Sequence, residues 1–329
     1  MTAPAPDAPP VPGVEIVRNA CVAPVLPHGR MAAGVFRADG SFVEASRTLL
    51  SRGRLTDVPP RPDPAGARRL PGRFLFAGPA RAHFGHFLLE SLGRLWPLTE
   101  DAVPPDGLLF LPPRADISLG PLQSQHAGLF DALCPGLPQI ATTEPVVVEE
   151  LIVPGQAFGH GPWITGTPAF RALMRSRLES AFPADGPERL YISRSRLRGA
   201  EKLVDGEARI EKLMRRAGYT VFHPERHDIA TQVARYRAAR WLVGPDGSAF
   251  HLAACVVVPG TRVGVIQRRH RPEVVQSFLD QFAAFAEVET HLITPLLPRE
   301  RQSGDDRALK TAPINFRALS RQLDAAGFL

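Results

Sequence analysis

The sequence is poor in several things, and each absence excludes something. No apolar run approaches the roughly 20 residues that span a bilayer as a helix, so no membrane-spanning segment is expected. Cys21, Cys134 and Cys255 are the only cysteines and lie far apart, with no Cys-x-x-Cys pair and no Cys/His zinc spacing. They read as free buried thiols of a reducing compartment. Aromatic residues are only 7% of the chain, too sparse for the stacking platforms that bind single strands. Lysine is almost missing: Lys202, Lys212 and Lys310 stand alone among 39 basic residues. The arginines that replace it are scattered, and with the abundant Ala, Pro and Gly they read as the codon bias of a GC-rich genome. The net charge of +6 then favours an anionic small ligand, or loose association with an anionic membrane surface, over nucleic acid. No G-x-G-x-x-G fingerprint, Walker A loop or internal repeat is present.

What is present is an α/β pattern. The 329 residues suggest about two domains at ~150 residues each. Residues 1–13 are Pro- and Ala-rich without a basic start or an apolar stretch, so a disordered leader and no signal peptide are expected, and with them a cytoplasmic location. A first α/β domain is expected over 14–160, a second over 161–297, and a tail over 298–329 with a docking helix at Phe316–Leu323. Strands are expected at Val14–Val17, Arg73–Ala77, Leu108–Leu111 and Val146–Val153. Phe84, Phe87, Leu88, Leu92 and Leu95 recur at helical spacing and predict an amphipathic helix over His83–Leu98, with another at Leu122–Leu133. The Arg/Pro/Asp-rich segment Arg47–Leu70 reads as an exposed loop, and the Gly/Pro-rich segment Pro154–Pro168 as the interdomain linker. Thr167-Pro168 is a helix start, a capping residue followed by proline at the first helical position.

From residue 190 the chain repeats strand, polar turn and amphipathic helix. Leu190–Ile192 leads into Ser193-Arg194-Ser195-Arg196, and Tyr219–Phe222 into His223-Pro224-Glu225. Trp241–Val243 leads into Gly244-Pro245-Asp246-Gly247-Ser248, and Arg262–Ile266 into Gln267-Arg268-Arg269. In a parallel sheet all four turns open on the carboxyl edge, where ligands bind. Arg194, at a strand end, can pair phosphate oxygens bidentately. Glu225 can accept from ribose hydroxyls or pair with a neighbouring arginine. Gly247 admits close backbone approach, Ser248 can cap the next helix, and that helix start favours an anion. A plain structural turn explains the same Gly-Ser pair equally well. On the earlier helix, His86 lies three and four residues from His83 and Glu90. That set suits a general base, His86 oriented by Glu90. It also suits a metal held by His83, His86 and Glu90 in a hydrolase, or a capped helix start with no chemistry.

Taken together, the sequence resembles glycosyltransferase family 61, also known as the capsular polysaccharide biosynthesis or DUF563 family, over about residues 80–270. Three blocks carry the resemblance. The helix His83-Phe84-Gly85-His86-Phe87-Leu88-Leu89-Glu90 is similar to the family's Asn-x-x-His-x-x-x-Glu/Asp block. Tyr191-Ile192-Ser193-Arg194 with the downstream Glu207 is similar to its second. Pro224-Glu225, Gln232, Ala239 and Val243–Ala249 are similar to its third. The departures are His83 for Asn, Gly206 for the Asn before Glu207, Asp246 for His, and Leu252 for Asn. The resemblance implies a GT-B-like fold of two Rossmann-like domains facing a central cleft. It implies inverting transfer from a nucleotide sugar to a glycan or other hydroxyl, with no essential metal. By position His86 and Glu90 are then catalytic, and Arg194, Glu225, Asp246, Gly247 and Ser248 hold the donor. Asp246 beside a diphosphate repels it, so it either binds sugar hydroxyls or marks a branch with another nucleotide. A non-catalytic nucleotide-binding partner protein is the remaining alternative.

Overall fold

The computed structural model describes residues 12–26, 29–99, 103–113, 120–199, 204–298 and 312–329. All but the last two residues of the expected leader, and the first part of the expected tail after Pro298, lie outside the described residues. The chain forms two compact units, the first reaching Arg177 and the second beginning at Leu178. The boundary falls inside a helix, α3 (Pro168–Ala181).

The first unit is built on a six-stranded mixed sheet. Its strands are β1 (Val14–Ala23), β2 (Gly34–Phe36), β5 (Arg68–Pro79), β6 (Gly107–Leu111), β7 (Gln139–Ala141) and β8 (Val146–Pro154). Their order is β2-β1-β8-β5-β6-β7. β5 runs parallel to β8 and β6, and β1 runs antiparallel to β8 and β2. A short hairpin of β3 (Leu49–Leu50) and β4 (Arg54–Leu55) precedes β5. Val17, Val35, Phe74, Phe76, Leu109, Val148 and Leu151 fill one core beside this sheet. The two edge strands, β2 and β7, and the hairpin escape sequence reading because strands of two or three residues carry no period of their own and are held by their neighbours.

The second unit is a parallel five-stranded sheet. β9 (Arg189–Ile192), β10 (Thr220–Phe222), β11 (Trp241–Pro245), β12 (Arg262–Ile266) and β13 (Glu289–Ile293) lie in the order β10-β9-β11-β12-β13. α4 (Glu207–Arg216), α5 (Ile229–Ala238), α6 (Ala249–Val256) and α7 (Pro272–Ala286) connect them, as the repeat of strand, turn and helix predicts. Gly218 ends the turn after α4 at φ +84°, where a side chain would strain the backbone. The expected tail helix is α8 (Phe316–Ala325), and its Leu319 and Leu323 join Tyr191, Ile210, Val243 and Ile266 in one core. No helix among the described residues is long and apolar enough to cross a membrane.

Three expectations for the first unit need correction. The predicted helix over His83–Leu98 is a single α turn, α1 (Phe84–His86), then a wider i→i+5 turn over Phe87–Ser91, a break, and a 3-10 turn over Trp96–Thr99. Phe87 to Trp96 are all buried, so burial on every side, not one apolar face, sets this segment. Pro154–Pro168 is no linker. Ala157 N donates to Gly93 O at 2.8 Å, and Thr167 N to Ala157 O at 2.8 Å. Gln156 bridges Leu49 N, Leu89 O and Phe158 O with its side-chain amide. Its glycines serve close packing: Gly93 lies against Phe158 O, with no room for a Cβ. Arg47–Leu70 is only partly exposed, since Thr48, Leu49 and Thr56 are buried.

Arg94 accounts for that last point. It is fully buried and donates to the carbonyls of Ala45, Arg47 and Pro154 and to Thr48 Oγ1. Burial pulls its pKa down to about 9, so it stays charged at neutral pH and holds the segment before β3 to the end of β8. Gly93→Ala is expected to cost about 1–3 kcal/mol, the usual penalty of overpacking. A urea midpoint equal to that of the wild type would show that the 156–159 segment does not press on Gly93.

Candidate active site

Each unit carries one concentrated polar cluster. In the first, β5 ends at Pro79, and Ser91 Oγ donates to Pro79 O at 2.7 Å while accepting from Arg81 N at 3.0 Å. This fixes the turn after β5 against the i→i+5 segment that carries Glu90. Glu90 has no exposed side-chain surface. Its Oε1 lies 2.6 Å from His86 Nδ1 and 2.8 Å from His160 Nε2, and its Oε2 lies 2.9 Å from Arg81 Nε. Burial alone would raise the Glu90 pKa. The hydrogen bonds from His160 and His86 and the charge of Arg81 outweigh it and bring the group to about 2. Glu90 is therefore an ionised, buried acceptor at neutral pH.

That geometry fixes the His86 tautomer. A carboxylate facing Nδ1 requires the proton on Nδ1, which leaves the Nε2 lone pair for chemistry. The His86 side chain is 30% exposed, so this nitrogen can meet a substrate. His160 comes from the segment that sequence reasoning assigned to the linker. The packing of 157–159 on Gly93 and Leu89 carries it to Glu90. The signal was a histidine between glycines, and nothing local tied it to a site 70 residues away. Arg81 was missed for the same reason. His83 is exposed at the start of α1, with its ring edge-on to that of His86 at 5.2 Å between centroids. The set expected for a hydrolase is not the one whose ligand atoms cluster. Among the described residues, the group whose ligand atoms lie within 4.8 Å of one another is His86, Glu90 and His160.

The second cluster sits at the carboxyl edge of the parallel sheet. Glu207 Oε1 accepts from Arg194 N at 2.8 Å and from Ser193 Oγ at 3.2 Å, clamping the turn after β9. Arg194 is buried, and its guanidinium lies so close to Gly247 that a Cβ there would collide with it. Gly247 is thus needed by an arginine of its own protein. Burial pulls the Arg194 pKa down, and Asp246 and Glu207 partly restore it.

Asp246 does not face outward to a ligand. It is fully buried, and its carboxylate accepts from Arg268 N at 2.9 Å and lies 3.3 Å from Arg268 Nε and Arg269 Nη2. A carboxylate with no water must find cations, and the turn after β12 supplies them. The edge therefore holds Arg194, Arg268 and Arg269 together with three buried carboxylates, Asp246, Glu207 and Glu211, the last accepting from Ser193 Oγ at 2.8 Å. Ser248 corrects another expectation. Its backbone is already helical (φ −59°, ψ −23°), and its hydroxyl makes no cap bond to α6. Glu225 is exposed in a 3-10 turn after β10, where Arg194 feels its charge.

A family model described as Glycosyltransferase 61 matches residues 84–264. That is over half of the chain. The chain belongs to glycosyltransferase family 61. Among curated proteins no relative matches it. In this family 61 glycosyltransferase the match opens in α1 and closes in β12. It takes in His86, Glu90, His160, Arg194 and Asp246, and leaves Arg81, Arg268 and Arg269 just outside.

Two stability predictions follow from these clusters. The Glu90 carboxyl is depressed on folding from its ordinary 4.5 to about 2. Its contribution is therefore complete above pH ~4.5 and is lost as pH falls toward 2, about 3 kcal/mol in all. The stability gap between wild type and Glu90→Gln, read by chemical denaturation, is expected to shrink across that window. A gap that stays constant with pH would contradict the depressed carboxyl. Asp246→Ala removes the carboxylate between two guanidiniums, one of them buried, and is expected to cost about 3–5 kcal/mol. A cost below 1 kcal/mol would mean that Arg268 is held by its other contacts.

Proposed function

We propose that this glycosyltransferase is an inverting enzyme that moves a sugar from a nucleoside diphosphate donor to a glycan or other hydroxyl acceptor. The observation that carries the reading is the buried, ionised Glu90 on Nδ1 of a half-exposed histidine. That carboxylate holds the imidazole proton on Nδ1 and leaves the Nε2 lone pair to act, which is what a general base requires. The acceptor hydroxyl loses its proton to His86 Nε2 as its oxygen bonds to the anomeric carbon. The bond from that carbon to the diphosphate oxygen breaks on the opposite face. The resulting imidazolium is stabilised by Glu90, which stays ionised.

The donor belongs, in this reading, to the carboxyl edge of the second unit. Arg194 and the backbone N–H groups at Gly247 and Ser248 meet the departing diphosphate, where its charge develops. Arg269 adds charge at the rim, and Glu225 is placed for ribose hydroxyls. Asp246 holds Arg268 and Arg269 in position and does not touch the donor. Protein cations replace a metal at the leaving group, so no essential metal is part of the scheme. A GT-B-like arrangement of the two units, a role in capsular or other cell-surface glycan synthesis, and a cytoplasmic location with peripheral contact to the inner membrane face complete it.

The first test is a thermal-shift panel with UDP, GDP, ADP, CDP, TDP and CMP, each in EDTA and with Mn²⁺. One diphosphate is expected to stabilise selectively in EDTA, by ~2.7 kcal/mol at a hundredfold excess over Kd. A shift only with Mn²⁺ would replace the arginine scheme by a metal-held donor, and no shift at all would remove the donor site. With that nucleotide, Arg194→Lys keeps the charge and loses the planar fork, so Kd should rise about tenfold, ~1.4 kcal/mol. His86→Ala should lower kcat by about 10²–10⁴ with donor affinity unchanged. Full activity in that variant would end the base assignment.

A further inference from the structure

We infer that His86, Glu90 and His160 form a binding site for Zn²⁺ or a similar borderline-soft cation, and that its occupation switches the enzyme off. The inference rests on His86 as the base, and goes beyond it. Two imidazoles and one carboxylate are the donor set that zinc prefers, whereas Mg²⁺ and Ca²⁺ select oxygen. The three ligand atoms all lie within 4.8 Å of one another. Both imidazole nitrogens already lie within hydrogen-bond distance of the same oxygen, Glu90 Oε1, at 2.6 and 2.8 Å. Tetrahedral zinc at ~2.0–2.1 Å from each ligand needs them roughly 3.3 Å apart, so each imidazole nitrogen has to draw back from Glu90 Oε1 by only about half an ångström or a little more.

The rest of the surroundings supports this. Arg81 Nε lies 2.9 Å from Oε2 as an ion pair, while Oε1 faces the two imidazoles. The His86 and His160 side chains are 30% and 20% exposed, which leaves solvent a way to the fourth position. The segment 157–159, packed against Gly93 and Leu89, holds His160 in place before any ion arrives.

Inhibition follows from which nitrogen is taken. In the metal-free enzyme Nδ1 of His86 carries the proton and Nε2 carries the lone pair. A cation at Nδ1 uses the lone pair there, and the ring's proton moves through solvent to Nε2. In His160 the proton moves likewise from Nε2 to Nδ1. No proton is lost from either neutral ring, yet His86 now presents an N–H where it presented a base. Glu90 Oε1, bound to the ion, no longer polarises the ring. The same carboxylate thus serves the base without the metal and the metal without the base.

The test begins with the metal alone. Untagged protein is titrated with Co²⁺, whose intense tetrahedral bands differ from the weak bands of the hydrated ion, and Zn²⁺ is then used to displace it. One equivalent is expected to bind tetrahedrally. The bands should be lost in His160→Gln and kept in His83→Ala. Octahedral spectra only, or bands lost in His83→Ala and kept in His160→Gln, would overturn the site. The second measurement is release of nucleoside diphosphate from the donor that the thermal-shift panel selects. Zn²⁺ should inhibit it, EDTA should restore it, and the residual activity of His160→Gln should be at least tenfold less sensitive. Activation by Zn²⁺ would overturn the inhibitory role. Tetrahedral binding that leaves turnover untouched would also overturn it, and would show that the assignment of His86 has failed while the metal site stands.

Discussion

The first unit is organised around one buried charge. Glu90 has no exposed side-chain surface, and an isolated carboxylate there would take up a proton. Two imidazoles and one guanidinium charge prevent that, and they come from three places in the sequence: Arg81 after β5, His86 one turn before Glu90, and His160 after β8. Each must be delivered to within 3 Å, so the charge dictates the backbone. The i→i+5 turn over Phe87–Ser91 widens the helix where Glu90 sits, the kind of local irregularity that recurs at functional sites. Gly93 removes a Cβ where the His160 segment must pass. Arg94, next in sequence, anchors the end of β8 through main-chain carbonyls, so the strand that leads to His160 is fixed as well.

The second unit solves a related problem by setting buried arginines beside buried carboxylates. A parallel sheet places the ends of β9, β11 and β12 side by side, and the residues just past those ends are Ser193-Arg194, Asp246-Gly247 and Arg268-Arg269. Arginines this close repel one another and lose solvation, which is why burial pulls the pKa of Arg268 down to about 10 and that of Arg194 down as well. Asp246 and Glu207 make the arrangement tolerable. Neither is aimed at a ligand, yet without them the guanidiniums could not be held in place before an anion binds, and preorganised charge is what stabilises a leaving group.

How much of this was legible in the sequence depended on range. The parallel half was read nearly element by element, because buried strands of four or five residues alternate with helices of clear 3.6-residue period. Arg194 was placed at the carboxyl edge because strand ends are fixed by that alternation. The first half was read less well. Phe84 to Leu95 have the spacing of an amphipathic helix, but every side of the segment from Phe87 onward is buried, and the period could not show that its turns differ. His160 was lost because glycine and proline mark a loop equally whether it is exposed or packed. Only the three-dimensional position of Gly93 distinguishes the two. Ser248 was misjudged because Ser before a helix is a good cap only when its own backbone is extended, which sequence does not report.

Asp246, where the sequence departs from the pattern it resembles, has its partners within the protein. A histidine at that position can share the turn with a neutral ring. An aspartate brings a full negative charge to the place proposed for a diphosphate, and by itself it would weaken binding by simple repulsion. Here the charge is consumed within the protein: one oxygen takes the Arg268 main-chain N–H, and the other faces the guanidiniums of Arg268 and Arg269. The aspartate also ties the turn after β11 to the turn after β12. Asp246 and the Arg268-Arg269 pair therefore work as one unit. Replacing Asp246 by His without touching the arginines would leave two guanidiniums facing a third, Arg194, with one carboxylate fewer between them.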